Sequence, residues 1–169
     1  MPDSRDLLRH TLATLAYRAE KVLRDPPAGF AEQRFGTSGR TPTEIVSHLG
    51  DLVEWGTRMA NGEQKWEAGL STDWTSACDR FFKGLAAFDA ALTTSTFTPN
   101  SPGVIFQGPI ADSLTHVGQL AMLRRLAGGA IRPESYARAE IQVGRVGTDQ
   151  SSKRKEFDGD ASAKRPPKA

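Results

Sequence analysis

Four stretches of this chain repeat their apolar residues every three or four positions, and no stretch carries a convincing period of two. That periodicity is the pattern of amphipathic helices and leaves no sheet to build on. In the first stretch, Leu8, Leu12, Leu15, Ala19 and Val22 form one stripe of a helix from Ser4 to about Arg24. Asp3 or Ser4 caps its start, and Asp25-Pro26-Pro27 stops it. After a loop over 26–40, rich in Gly, Pro and polar residues, Thr41-Pro42-Thr43-Glu44 marks a sharp helix start. Thr41 serves as N-cap, Pro42 sits at the first helical position, and Glu44 completes a capping box. This second helix runs to Met59 or Ala60, with Ile45, Leu49, Leu52, Val53, Gly56 and Met59 on its apolar face and Asn61-Gly62 as its end.

The third stretch, about Thr75 to Leu92, places Cys78, Phe81, Leu85, Phe88 and Leu92 at the knob positions of a bundle seam. The fourth begins near Gly108-Pro109, ends at Leu126 or Ala127, and has Gly128-Gly129 as its stop. It is apolar nearly all round until Arg124-Arg125, so the expectation is a helix buried on most sides. Homodimerisation through bundle faces and burial within one chain both account for that profile. The expected fold is all-α: a four-helix bundle with long connections, at least one of them joining parallel neighbours. After Pro133, YARAEIQVGRVG reads as a short helix or as an irregular strip on the bundle.

Charge divides the chain at Thr148. Of 169 residues, 22 are basic and 20 acidic, a formal net charge of +2. Residues 149–169 hold six of the basic and four of the acidic residues, so residues 1–148 are formally neutral. The expectation is one bundle domain over 1–148 and a disordered charged tail over 149–169, with Phe157 its only large apolar residue. Because acids interleave with its bases, the tail reads as solubilising rather than as a nucleic-acid arm. The balance excludes the strongly basic profile of a dedicated nucleic-acid binder. A single cysteine rules out an intramolecular disulfide and a CxxC metal knuckle. No apolar run approaches a membrane span, and MPDSRDLLRH lacks the order of a signal peptide, so a cytoplasmic protein is expected.

The functional argument rests on the three histidines, His10, His48 and His116. At about 100° per residue, His10 falls opposite the leucine stripe of its helix and reads as a surface residue. His48 lies at the edge of the apolar face of the second helix, and His116 shares a face of the fourth with Asp112, Gln119, Leu120 and Leu123. Asp112 and His116 are one turn apart and their side chains meet. Polar groups aimed at a core need a reason, because an unpaired buried carboxylate is costly. One reason is a metal, with two ligands from one helix and His48 as the third, an arrangement that leaves coordination positions open. The other is a hydrogen-bonded Asp112–His116 pair, with His48 satisfied by a neighbour; spacing alone favours the pair.

Two segments, TPTEIVSHLGDLVEW around His48 and GPIADSLTHVGQLAMLRRLAG around His116, resemble the DinB/YfiT-like superfamily of metal-dependent four-helix bundles. The resemblance covers about residues 5–130. It implies one metal-binding histidine in the second helix, matching His48, and two in the fourth in a pattern close to H-x-x-x-H-R-G-Q. Here that pattern reads Asp112, then His116-Val117-Gly118-Gln119, so a carboxylate stands in place of the first histidine. The implied metal site is His48, Asp112 and His116, holding zinc, nickel, iron or manganese. A carboxylate is a harder ligand and leaves the metal's identity open. The family's chemistry implies a small-molecule substrate and a low-molecular-weight thiol cosubstrate such as bacillithiol, mycothiol or glutathione. The expected activity is thus a thiol-dependent S-transferase or related detoxification enzyme. The alternative is a non-catalytic dimeric stress-response or interaction bundle with a degenerate site.

Other residues carry blander readings. Cys78 is a core thiol and Glu44 a capping residue; Gln119 reads first as a packing amide and second as a group that orients a ligand or substrate. Trp55, Trp66 and Trp74 are core and loop anchors rather than a pocket mouth. Arg124 and Arg125 either bind an anionic cosubstrate or favour a helix C-terminus through its dipole.

Overall fold

The computed structural model describes residues 3–71, 73–152 and 156. They form helices α1 (Ser4–Leu23), α2 (Pro42–Ala60), α3 (Trp74–Thr94), α4 (Pro102–Ile105) and α5 (Ala111–Leu126), with no strand among the described residues. One π-helical turn, Phe106–Ile110, joins α4 to α5, and helical dihedrals continue across it, so the two make a single fourth rod. The fold is the expected all-α four-helix arrangement.

Cross-helix contacts give each helix its direction. Arg9 pairs with Asp89 and Arg5 donates to the carbonyls of Leu92 and Thr93, so α1 and α3 are antiparallel. Arg80 bonds to the Ser47 carbonyl while the Phe88 ring covers Gly56, so α2 and α3 run parallel. The long connection between them makes this possible by returning along α2. Its Gly69 amide donates to Asp51 and its Ser71 amide to Ser47. Of all the helix pairs α2 and α3 meet most extensively, and Gly56 and Gly84 let the Phe88 ring and the Val53 side chain into that seam. The expected crossover between parallel neighbours is therefore present.

The core is the set the periodicity selects. Leu12, Leu15, Leu49, Phe81, Leu85, Phe88, Leu92 and Leu120 are fully buried or nearly so. The Thr41 capping box forms as read: Thr41 Oγ1 accepts from the Glu44 amide, and Glu44 Oε2 accepts from the Thr41 amide at 2.7 Å.

The fourth rod departs from expectation in two ways. It begins at Pro102, capped by the Ser101 hydroxyl, rather than at Gly108-Pro109. Pro109 lies inside the π-helical turn, whose wider path accommodates a ring that lacks an amide donor. That turn also explains why Ile105 and Ile110, five positions apart, are both fully buried. On a regular helix they would sit about 140° apart; the extra residue in the turn brings them to one face. Nor is α5 buried on most sides. Only Ser113, Val117, Leu120 and Arg124 are buried, while Met122 and Leu126 are 59% and 65% exposed. One stripe suffices, because α5 packs only against α1 and α2.

Arg124 stands in the last turn of α5, where the helix dipole favours a cation. Its guanidinium is buried and donates to the carbonyls of Val22, Arg24, Asp25 and Gly129, closing the C-terminal end of α1 onto α5. The segment after Pro133 is an irregular strip with one 3-10 turn, Tyr136–Arg138. Glu134 anchors it, accepting from the Tyr17 hydroxyl and from Lys21 Nζ at 2.8 Å. Lys21 also reaches Glu156 at 2.6 Å, and Glu156 bridges back to Glu134. Glu156 belongs to the segment expected to be a disordered tail, and it is held against the bundle. Residues 153–155 and 157–169, Phe157 included, lie outside the described residues.

Candidate metal centre

The capping box fixes the start of α2, and His48 follows it by one turn, facing α5. On α5, Asp112 and His116 meet it. Asp112 Oδ1 lies 3.5 Å from His116 Nε2, and Oδ2 lies 3.9 Å from His48 Nε2. The two imidazoles approach edge to face, 4.9 Å between ring centroids. One ligand atom from each of the three residues falls within 4.8 Å of the others, a group that can hold a metal ion. Ligand atoms around one small divalent ion at roughly 2.0–2.2 Å stand about 3 to 3.5 Å apart, so modest rotations of these side chains fit them to it.

The donors are prepared for this role. Gln119 Oε1 accepts from His116 Nδ1–H at 2.8 Å, leaving Nε2 with its lone pair toward Asp112. Gln119 is thus no packing amide: it is exposed and holds the His116 ring. Burial, then the neighbouring charges of His116 and Arg40, push the His48 imidazole below its ordinary value, while Asp112 and Asp51 oppose the shift. The neutral form, the one that binds metals, is favoured. Trp66 packs edge-on against His48 at 5.9 Å, and Trp55 against Trp66 at 5.5 Å. Trp55 in turn lies on Gly108 of the π-helical turn, where a Cβ would come within 3.0 Å of its ring. These two tryptophans wall the site; Trp74 instead packs on Phe30 elsewhere.

Asp112 corrects one premise. Its side chain is 47% exposed, so it stands on the rim of the site and not against a core. The cost of burying a carboxylate therefore cannot be what calls for a metal; the convergence of three donors is. His48 and His116 also line a cleft of about 800 Å³, with Phe35, Arg40, Ile45, Gly118, Met122 and Leu123.

Asp51 escaped the sequence reading. It is one turn from His48, buried, and accepts from Arg80 at 2.7 Å and from the Gly69 amide at 2.8 Å. Its second oxygen lies 3.8 Å from His48 Nδ1. The i, i+3 spacing was the available signal. His10 is exposed, as expected, and takes no part. Cys78 lies outside the site, and burial pushes its thiol up to about 12, which suits a packing residue and not a nucleophile. No helix of the described residues is long and apolar enough to cross a membrane. No family model, no curated protein and no solved structure matches this chain, so the geometry of the site stands as the ground for any reading of its function.

Proposed function

We propose that this chain is a metal-dependent enzyme that couples a low-molecular-weight thiol to a small electrophile, an S-transferase or related detoxification activity. The observation that carries the reading is the convergence of His48, Asp112 and His116 beside an open cleft. The resemblance of the α2 and α5 segments to the DinB/YfiT-like pattern supports it. A divalent ion held by these three residues supplies one thing, a lowered thiol pKa and hence thiolate near neutral pH. The remaining work falls to the chain. His48 stays neutral, Gln119 fixes the tautomer of His116, and Trp66 excludes water from one side of His48. Asp112 adds a negative charge and, being exposed, leaves room for a third party.

A second reading, a non-catalytic bundle with a degenerate site, is favoured by one observation: Asp112 stands where the resembling pattern has histidine. Elemental analysis of wild type, His48→Ala and His116→Ala tests the metal centre. Stoichiometric metal in wild type, lost in both variants, is expected; negligible metal in all three removes the first reading. Turnover of a model electrophile with glutathione, bacillithiol or mycothiol, abolished by chelation, separates the two. Metal without turnover with any of these thiols leaves the degenerate bundle.

A further inference from the structure

The cleft beside the metal centre has walls of one kind and a charge of another. Phe35, Ile45, Met122 and Leu123 give it apolar sides. Its one cation is Arg40. Among the described residues Arg40 has no hydrogen-bonding or ionic partner, whereas nearby Arg34 is held by Glu44 and by the Gly39 carbonyl. Arg40 immediately precedes the Thr41 cap of α2. A cation at that place opposes the positive end of the helix dipole, so local helix energetics do not account for it.

A second feature points the same way. Gly118 lies in the middle of α5 and lines the cleft. A Cβ built there would meet nothing within 4 Å. Glycine within a helix costs roughly 1 kcal/mol relative to alanine, and here no neighbouring group requires it. What its missing side chain leaves is space in the cleft.

We propose that this cleft binds the apolar body of a small organic anion, whose single anionic group pairs with Arg40 and whose body lies over Gly118 between Phe35, Ile45, Met122 and Leu123. Such a molecule is the electrophile class of the proposed reaction. A low-molecular-weight thiol is polar throughout and finds few partners on these walls. The assignment of the bound molecule as a substrate rests on the metal-centre reading; its binding does not. The volume suits a ligand of drug-like size with a mostly apolar surface and one fixed charge.

The test uses two fluorescent probes that share a ring system and differ in charge: anilinonaphthalenesulfonate and the uncharged phenylnaphthylamine. Both are titrated into the full chain after treatment with a chelator. The sulfonate is expected to bind about tenfold more tightly than the neutral probe, an advantage that fades near 0.5 M salt. Arg40→Gln removes that advantage and leaves the neutral probe's affinity unchanged. Gly118→Phe fills the cleft and weakens both probes at least about tenfold, while far-ultraviolet circular dichroism shows the helices intact. Equal affinity of wild type for the two probes overturns the proposal. So does an unchanged ratio in Arg40→Gln, or undiminished binding of both probes by folded Gly118→Phe. Metal content of the same proteins is measured separately. Wild type that binds the sulfonate through Arg40 but takes up no metal removes the metal-centre reading and leaves the anion site standing; the opposite result does the reverse.

Discussion

Gln119 Oε1 and His116 Nδ1 lie 2.8 Å apart across one turn of α5, and this contact decides which imidazole nitrogen faces Asp112 and His48. Partners of this kind orient metal-binding histidines and raise their basicity. Gln119→Ala is expected to weaken metal affinity by about 10- to 100-fold, read by competition with a chromophoric chelator. Because Gln119 is exposed, the unfolding midpoint should hardly move. Unchanged affinity would show that His116 finds its tautomer without help.

The lowered His48 imidazole makes a pH prediction with a definite sign. Burial and the charges of His116 and Arg40 disfavour the protonated form in the folded chain, and unfolding removes that penalty. The unfolded state therefore binds the proton more readily. The contribution of His48 to stability is complete above its ordinary value of 6.5 and is lost as pH falls below it. Urea midpoints of metal-free protein should drop between about pH 7.5 and 5.5, and drop less in His48→Gln. Parallel curves for the two proteins would contradict this.

Lys21 predicts a loss of stability and its repair. Its ammonium is buried between Glu134, also buried, and Glu156. Lys21→Met leaves the Glu134 carboxylate without its cation and should cost about 3 to 5 kcal/mol, measured by urea denaturation. Adding Glu134→Gln, which keeps a partner for the Tyr17 hydroxyl, should recover a large part. A cost under about 1 kcal/mol would mean that the strip after Pro133 contributes little to the stability of the bundle.

Two helix glycines predict opposite outcomes for the same substitution. Gly56→Ala drives a methyl into the Phe88 ring at the α2–α3 seam and should destabilise by about 1 to 3 kcal/mol. Gly118→Ala faces open space and should stabilise by about 0.5 to 1 kcal/mol. Thermal midpoints shifting in the same direction would refute the assignment of the two environments.

The helices were legible because their signals are local. The Thr41–Glu44 capping box and the leucine stripe of α1 depend only on neighbours in sequence, and both appear where expected. Spacing put Asp112 and His116 one turn apart, and only the resemblance to the DinB/YfiT-like pattern preferred joining them with His48 in one centre. It could not say that Asp112 stands on the rim, since exposure is decided by which helix packs opposite. Nor could it foresee the use of Arg124 at the end of α1, a contact across about a hundred residues. The start of α4 was missed because Pro109 normally ends a helix, and only a widened turn admits it. Arg40 reaches the cleft and Trp66 reaches His48 through loop paths that periodicity does not describe.

The π-helical turn at Phe106–Ile110 carries a consequence for how this site can be gained or lost. It lets Ile105 upstream and Asp112 and His116 downstream each face its own target. Removing Phe106 or Gln107, both exposed, alters no metal-site residue and no buried residue by identity. It takes out the extra residue, and in the regular helix that results the present Ile105 and Ile110 stand four positions apart, about 40° from one another. Ile105 then keeps its place in the core, and Asp112 and His116 keep facing His48. The centre thus tolerates the loss of one residue at this turn, whereas the same loss in a regular stretch between Ile105 and Asp112 would turn the two halves of the rod by about 100°.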